Sequence, residues 1–579
     1  AKATGENSNA GGLIGHYKIT KAKTGTENEN SAYRIPAGIS LTAPTVSAGN
    51  SGNSGGYFGW LELAGDGVHT LSFTFGGTEE NSKTKIEPTH GNTTNENAYG
   101  GLAGKITSRA IANTVKIQNF TVNSKNSGTP KYYGGLVGEL GADGSPVYPV
   151  YLETKNIEVL AGSPSVSSNG WFGGLVAILQ KGSILNVSGN ATVSTSGVAI
   201  SRGGGAVGCA NEGSAVQLAG TTNFTGVNYT EGSQNVGWML GNNNSALIYA
   251  KGSGSDGGWT YSRPNKKLND IGSYGQIIRL KAEANSAQNG LSSDLIQISD
   301  EHKIALKSAS WSGDITLSSA DDFALLSIAW NSRGYFSADG KNINKDQWTS
   351  LRSKNITLGA NIDLTGTGIL GLSRDTYSSG DSDTFAGSLD GGGNTLTLAI
   401  GEKFGTYQNK GDGRIYAVKN DNDIYHGALG IFAQVDGSSG KEIKNLTLKG
   451  SMNASNAKGN FMMGGIAAIV KGNVTVRGVK TGEAVSDTNN GSNSENQFAV
   501  NVYYDYFGGN SADNNSIAAG SLFGRADGTT MTITDESSIH SLIQVIGSGD
   551  NIATYDKRYA KRDSKVMVGG VIGQGRKYE

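Results

Sequence analysis

Three groups of acidic side chains are the first candidates for chemistry in this sequence. One group places Asp375, Asp381 and Asp383 beside Arg374 in a loop rich in serine and glycine. A polysaccharide lyase needs several aspartates that converge on Ca²⁺, with a nearby arginine or lysine as the base. Carboxylates gathered on one loop are more typical of a solvated turn, and we predict no catalytic residues here.

The other two groups offer no better site. Asp421, Asp423 and His426 could ligate a metal, but turns rich in Asp and Asn have the same composition. The segment 390–394, Asp-Gly-Gly-Gly-Asn, occurs once and lacks the repeated spacing of calcium-binding β-rolls, so it predicts a turn. No zinc-like spacing connects the six histidines, which are at positions 16, 69, 90, 302, 426 and 540. We predict no metal and no cofactor.

Aromatic side chains at or near predicted loops are better candidates for binding a ligand. Aromatic rings stack on sugar faces and anchor protein interfaces. The alternative is that they cover the edge of the core beneath each loop, and we favour this alternative. The residues concerned are Tyr132, Tyr133, Trp171, Phe172, Trp259, Tyr261 and the segment 503–507.

Cys209 is the one cysteine, so the chain can form neither an internal disulfide nor a cysteine-based metal site. Its neighbours are glycine, alanine and valine, which predicts a small apolar core residue. Asn-x-Ser/Thr triplets would carry glycans only if the source organism glycosylates them. Six of these triplets begin at positions 119, 186, 190, 223, 445 and 473.

Composition excludes several classes of protein. The 48 basic and 49 acidic residues leave a net charge of −1, which is no electrostatic footprint for nucleic acid or an anionic membrane. No stretch approaches the ~20 apolar residues of a membrane span. The 88 glycines accompany only 8 prolines and many aromatic residues, so we expect frequent tight turns around a packed core.

A short motif of small and apolar residues recurs along the whole chain. Copies of the Gly-Gly-apolar-apolar-small pattern begin at positions 11, 55, 100, 134, 173 and 204, with later copies at 464 and 569. Successive copies are 44, 45, 34, 39 and 31 residues apart in the first half. A constant motif at a variable spacing predicts constant strands joined by loops of variable length.

Short alternating segments such as 115–122, 184–188 and 474–476 lie between the copies and predict strands with one face in a core. About three strands per repeat, each too short to be stable alone, predict a solenoid in which every repeat covers the next. The glycine pair fits a sharp corner of the backbone. An antiparallel sandwich with glycine-rich hairpins is the alternative, but two-residue hairpin signals are few.

The regular pattern stops near 255–330. The segment 318–329 has apolar residues at helical spacing, Ser318 or Ser319 as the N-cap, and Asp321 and Asp322 in the first turn. It predicts a short capping helix laid over the end of a solenoid. We therefore expect residues 1–290 to form late repeats and a C-terminal loop region of one solenoid. Residues 297–579 would form the cap and early repeats of a second.

The order of motifs after this helix carries a family resemblance. It runs NIDLTG (361–366), FAGSLDGGGNTLTL (385–398), LGIF (429–432), IKNLTLKG (443–450) and GGIAA (464–468). This order resembles β-helical repeat regions of large surface proteins of gut Firmicutes, and the glycine-pair copies resemble GLUG-type repeats of bacterial adhesins. The resemblance implies a right-handed parallel β-helix of the pectate-lyase-like type, displayed at the cell surface, and it names no ligand.

These observations predict a non-enzymatic, extracellular stalk or fibre segment within a longer polypeptide. Its loops would contact host or environmental glycan, host protein or neighbouring chains, without nucleic acid and without membrane insertion. Two alternatives stay open. A polysaccharide-active lyase or hydrolase would need carboxylates clustered on one sheet face, and a filament subunit would stack end to end through its exposed strand edges.

Overall fold

A computed structural model shows a protein built from parallel sheets. Strands make up 59% of the described residues and helix 4%, so the protein is all-β. The structure describes residues 1–20, 31–35, 41, 44–64, 71–77, 83–91, 93, 95–109, 113–142, 148–195, 198–229, 235–244, 246–251, 259–261, 277–280, 295–298, 304–306, 313–331, 350–369, 371–372, 384–400, 423–425, 428–437, 440–458, 461–482, 498–504, 516–528, 530–534, 536–547 and 565–576.

The chain divides into two compact units. The first unit comprises Ala1–Ile277 and Gln297–Ala305, and the second comprises Ile278–Ile296 and Leu306–Glu579. Each unit holds its own set of parallel sheets. The expected assignment of late repeats to one unit and early repeats to the other stays a prediction.

Two seven-stranded sheets of the first unit meet at the glycine pairs. Sheet A consists of Asn9–Gly11, Asn53–Gly55, Ala98–Gly100, Tyr132–Gly134, Trp171–Gly173, Gly203–Gly204 and Val236–Gly237. Sheet B consists of Ile14–Ile19, Phe58–Leu63, Ala103–Ser108, Val137–Leu140, Val176–Leu179, Val207–Ala210 and Leu240–Asn243. Each copy of the motif therefore gives one strand to sheet A and, after a two-residue bend, one strand to sheet B.

A third sheet of the first unit collects the alternating segments. Sheet C contains Ser31–Ile35, Thr45–Val46, Leu71–Phe75, Thr84–Ile86, Thr89–His90, Thr114–Asn126, Tyr151–Gly162, Ile184–Val187, Ala191–Ser194, Ala215–Leu218, Thr222–Thr225, Leu247–Lys251 and Trp259–Tyr261. Ala199–Ile200 pairs separately with Asn228–Tyr229. Further strands lie at Ile277–Leu280, Ile296–Ile298 and Ile304–Leu306.

The second unit contains four parallel sheets. Sheet D contains Ile315–Leu317, Ile356–Leu358, Leu389–Asp390, Glu442–Lys444, Val474–Arg477 and Met531–Ile533. Sheet E contains Ile362–Asp363, Thr395–Ile400, Asp423–Tyr425, Thr447–Lys458, Lys480–Thr481, Phe498–Tyr504, Ser538–Ile539 and Ser541–Gly547. Sheet F contains Thr384–Phe385, Phe432–Asp436, Ala467–Lys471, Phe523–Asp527 and Ile572–Arg576. Sheet G contains Ala428–Leu429, Phe461–Gly464, Ser516–Gly520 and Lys565–Gly569.

Every strand pair within sheets A and B is parallel and joins equivalent positions of successive repeats. Gly11 pairs with Gly55, Gly55 with Gly100, and Gly100 with Gly134. Ile14 likewise pairs with Phe58 in sheet B. The antiparallel sandwich is therefore wrong for these sheets, because hairpins would have paired neighbours in opposite directions.

The helix α1 spans Ala320–Asn331. Ser319 is its N-cap, because the Asp322 backbone N–H donates to Ser319 Oγ over 3.1 Å while Asp322 Oδ2 accepts from the Ser318 N–H over 2.9 Å. Trp330 at its far end contacts the rings of Phe385 and Phe432 in sheet F. The predicted helix is confirmed to within two residues, whereas its role as a cap stays a prediction.

The glycine pairs occupy the corner that the sequence predicted. A side chain on the second glycine of a pair would overlap with the backbone of the next repeat, as a Cβ on Gly174 would with the Gly205 carbonyl oxygen. The following apolar residue packs in the core, except at the first repeat, where Leu13 is 45% exposed. Bare backbone at the corner thus allows successive repeats to approach closely enough to share hydrogen bonds.

We expect Gly174→Ala to lower the free energy of unfolding by about 3 kcal/mol, because its Cβ would force two repeats apart. Gly570→Ala is the matched control, since it occupies the same motif position in the last copy and its Cβ would meet nothing within 4 Å. Urea unfolding followed by circular dichroism measures both. Equal midpoints for the two variants would contradict the close-approach explanation.

Candidate functional site

The described chain contains no group of three His, Cys, Asp or Glu residues arranged to hold a metal ion. Asp375, Asp381, Asp383, Asp421 and His426 lie outside the described residues. Asp423 begins a strand that pairs with Thr447–Lys458, and nothing further is described for its side chain. The predictions for these two acidic groups therefore stay predictions.

Asp390 lies in the turn that the sequence predicted. Its Oδ1 accepts hydrogen bonds from the Gly392 backbone N–H at 2.9 Å and from Asn445 Nδ2 at 3.1 Å. Burial acts to raise the pKa of Asp390, but these hydrogen bonds and the charge of Lys444 outweigh it and hold the pKa below its usual range. The glycine-rich segment is therefore a satisfied Asx turn.

The aromatic candidates lie in strands rather than in exposed loops. Tyr133 and Phe172 point into the core, where Tyr133 stacks on Tyr99 with centroids 5.1 Å apart and meets Phe172 edge to face at 5.3 Å. Tyr132 and Trp171 are also buried, on the opposite face of sheet A. The interpretation as loop-borne binding residues is wrong for these four. No side-chain description exists for Trp259, Tyr261 and 503–504, and residues 505–507 lie outside the described chain.

Tyr132 and Trp171 are buried because the outer faces of sheets A and B pack against each other. With them, Ala98 from sheet A and Ala177, Ile178 and Cys209 from sheet B form one apolar cluster. The Arg202 guanidinium covers the Trp171 ring at 4.1 Å, and Lys131 covers the Tyr132 ring at 5.0 Å. Cys209 is therefore a buried apolar residue, as predicted, and burial raises its pKa to about 11.

Toward the first repeats this outer face becomes polar. Asn9, Asn53 and Asn97 form an amide ladder with steps of 2.9 Å. Asn97 also donates to Glu139 at 3.0 Å, which joins sheet A to sheet B. Lys105 at 3.0 Å and Gln180 at 2.9 Å complete the partners of the Glu139 carboxylate. The nearly buried Glu139 charge is thus neutralised and hydrogen-bonded from three sides.

A basic and aromatic patch lies next to this polar face, on sheet B and at its end. We call it the Glu62 patch, and it comprises His16, Lys18, Trp60, Glu62 and Arg109. The carboxylate of Glu62 contacts Arg109 Nε at 2.7 Å, His16 Nε2 at 3.3 Å and Lys18 Nζ at 3.4 Å. The imidazole of His16 stacks on Trp60 with centroids 4.4 Å apart and planes 4° from parallel. Cations and an aromatic platform are therefore held together by one buried anion.

Inside the first unit, a second polar group surrounds the buried pair His90 and Glu96. Nε2 of His90 lies 2.7 Å from Glu96 Oε2, and its Nδ1 lies 2.7 Å from Asn126 Oδ1. The Asn126 amide is oriented by its neighbours, because Nδ2 donates to the Ser165 carbonyl while Oδ1 accepts from the Gly128 N–H. His90 Nδ1 must therefore carry a proton.

Both oxygens of the Glu96 carboxyl group have further partners. Ser54 Oγ donates to Glu96 Oε1, while Thr93 Oγ1 at 2.8 Å and the Ala48 N–H at 3.2 Å donate to Oε2. His90 and Glu96 thus form a buried hydrogen-bonded pair, and the Tyr99 ring stacks on the imidazole at 4.6 Å.

Sequence reasoning missed both the Glu62 patch and the His90–Glu96 pair. It treated the histidines as scattered, because positions 16, 60, 62 and 109 are distant along the chain. Aligning the glycine-pair copies would have placed positions 16 and 60 in one register, as the structure pairs them. No comparable signal exists for His90 and Glu96, which precede the motif in a loop of variable length.

Comparison of the chain with protein-family models, with curated proteins and with solved structures finds no match. The described residues include no helix with the length and apolar character that crossing a bilayer requires. The fold and the two polar sites are therefore the basis for any proposal about function.

We expect Glu96→Gln to lower the free energy of unfolding by about 3 kcal/mol, because its amide nitrogen cannot accept the hydrogen bonds that the buried carboxyl oxygens accept. Glu153→Gln is the control, since Glu153 pairs with Lys116 at 3.4 Å on an exposed face and should cost less than about 1 kcal/mol. Urea unfolding of both variants checks this. A loss for Glu96→Gln no larger than the control's would show that these buried hydrogen bonds contribute little to stability.

The Cys209 thiol should react slowly with a thiol reagent in the native protein. Burial raises its pKa to about 11, so the reactive thiolate is scarce at pH 8 and the sulfur is covered by the outer cluster. Labelling with an aromatic disulfide at pH 8 should be complete in urea and at least tenfold slower without it. Fast native labelling would show that the outer faces of sheets A and B open readily.

Proposed function

We propose that this protein is a non-enzymatic segment of an extracellular surface protein, built as a right-handed parallel β-helix, that supports and contributes adhesive contacts. The observation that carries the proposal is the register of the strands. Equivalent positions of successive motif copies pair in parallel through sheets A and B, and sheet C joins the segments between them. Right-handed coiling is the sense that crossovers between parallel strands adopt almost always.

Such an arrangement favours a supporting role over catalysis. Each inner repeat pairs in parallel with the repeat before it and with the repeat after it. The free energy of unfolding is then approximately the sum of contributions from the individual repeats and from the contacts between neighbours. Three buried carboxyl groups in the described part of the first unit, those of Glu62, Glu96 and Glu139, each have a basic partner. Carboxylates held in this way brace the fold, whereas a hydrolase or lyase needs carboxyl groups that reach the substrate.

Contacts with a partner would come from surfaces that vary between repeats. Motif copies lie 31 to 45 residues apart in the first half, so the segments between constant strands differ in length. Loops on a rigid scaffold are the common place for binding residues. We propose host or environmental glycan or protein as the partner class, and the cell surface as the location.

Binding and turnover assays on the purified chain test this proposal directly. We expect retention on at least one immobilised glycan or extracellular-matrix protein, with no release of reducing or unsaturated sugar from pectin, alginate or mucin glycans, with or without Ca²⁺. A catalytically dead, unrelated β-helix protein serves as the binding control. Sustained turnover of any of these polysaccharides would overturn the non-enzymatic assignment.

A further inference from the structure

The Glu62 patch contains more positive charge than its own carboxylate can neutralise. Lys18 and Arg109 are permanent cations at neutral pH and share one anion, so the patch has a net charge of +1 even when His16 is neutral. Glu62 is buried, whereas the side chains of His16, Lys18 and Arg109 are 36%, 40% and 61% exposed. The anion is therefore beneath the surface and the cations are on it.

The cations still have donors to offer to a ligand. Arg109 contacts Glu62 through Nε, and no hydrogen bond or ion pair within the described chain engages its terminal nitrogens. The ammonium of Lys18 has three protons, and Glu62 at 3.4 Å is its one partner among the described residues. The planar guanidinium of Arg109 presents its terminal N–H groups as a fork, which suits a carboxylate or sulfate group.

An aromatic platform lies beside these donors on the same strands of sheet B. His16 and Trp60 stack face to face, and Trp60 Nε1 donates to Thr107 Oγ1 at 2.8 Å, which fixes the indole. Lys105 Nζ lies 6.0 Å from the centre of the Trp60 ring. A rigid ring next to oriented cations provides the two contacts that a charged sugar needs, a face for its C–H groups and donors for its acid group.

We propose that the Glu62 patch binds an anionic sugar residue, carboxylated or sulfated, within a polysaccharide. The partly exposed ring of His16, supported from behind by Trp60, packs against the pyranose ring while Arg109 and Lys18 pair with the acid group. Glu62 positions the cations and at the same time weakens their attraction for the ligand. This inference rests on the proposed adhesive function and specifies its ligand class.

Two charge variants with opposite expected effects test the patch. Arg109→Gln should weaken binding to immobilised polyuronate or heparin about fivefold or more, because it removes the oriented donor. Glu62→Gln should strengthen binding about threefold, because it removes the competing negative charge. Circular dichroism and urea unfolding show whether Glu62→Gln is folded, and a gain in affinity by the folded variant is informative even if Arg109→Gln is unstable. Lys116→Gln, on an exposed face of sheet C, is the matched control and should change affinity less than twofold.

Surface plasmon resonance on polyuronate, heparin and neutral dextran, at two salt concentrations, provides the measurement. We expect binding to the two charged polymers, weaker at higher salt, and none to dextran. Binding to polyuronate but not to heparin would identify the acid group as a carboxylate. Binding to heparin but not to polyuronate would identify it as a sulfate. Unchanged affinity in both Arg109→Gln and Glu62→Gln, or equal binding to dextran, would overturn the assignment. Retention on a protein ligand alone would refute this inference and leave the adhesive proposal standing.

Discussion

The close approach of bare backbone at the glycine corners is the constraint on which the first unit depends. The backbone N–H of the second glycine of a pair donates to the carbonyl of the first glycine in the next repeat, as Gly12 does to Gly55 and Gly56 to Gly100. A side chain on that second glycine would overlap with the next repeat. Because this corner fixes the register, each core position lies directly over its equivalent in the next repeat. The variable segments can then change length without disturbing the sheets.

The outer faces of sheets A and B, which point away from the core, also pack against each other. The outer faces of sheets A and B meet in an apolar cluster that buries Trp171 and Cys209. Toward the first repeats, the same faces are joined by the Asn97–Glu139 hydrogen bond instead. The corner is therefore held from both sides, and what differs between repeats is the chemistry of the outer face.

Much of the backbone arrangement could be predicted from the sequence, because the motif and the alternating segments report local geometry. Short-range patterns predict the parallel pairing of strands, the glycine corner and Ser319 as a candidate N-cap of α1. The environment of Trp171 could not be predicted, because the period-2 alternation of the sequence does not show that another sheet covers the outer face of this strand. The Glu62 patch depends on register across about 45 residues, and the His90–Glu96 pair on the course of a loop that no repeat specifies.

In-register parallel stacking is the central claim, and disulfide trapping measures it most directly. Thr192 and Asn223 are paired positions of sheet C, whereas Thr192 and Thr225 are two residues out of register. In a Cys209→Ser background, Thr192→Cys with Asn223→Cys should oxidise to a disulfide, because paired Cα atoms lie within its reach of about 7 Å. Thr192→Cys with Thr225→Cys should stay reduced at about 8 Å. Preferential cross-linking of the second pair would contradict the register and the fold built on it.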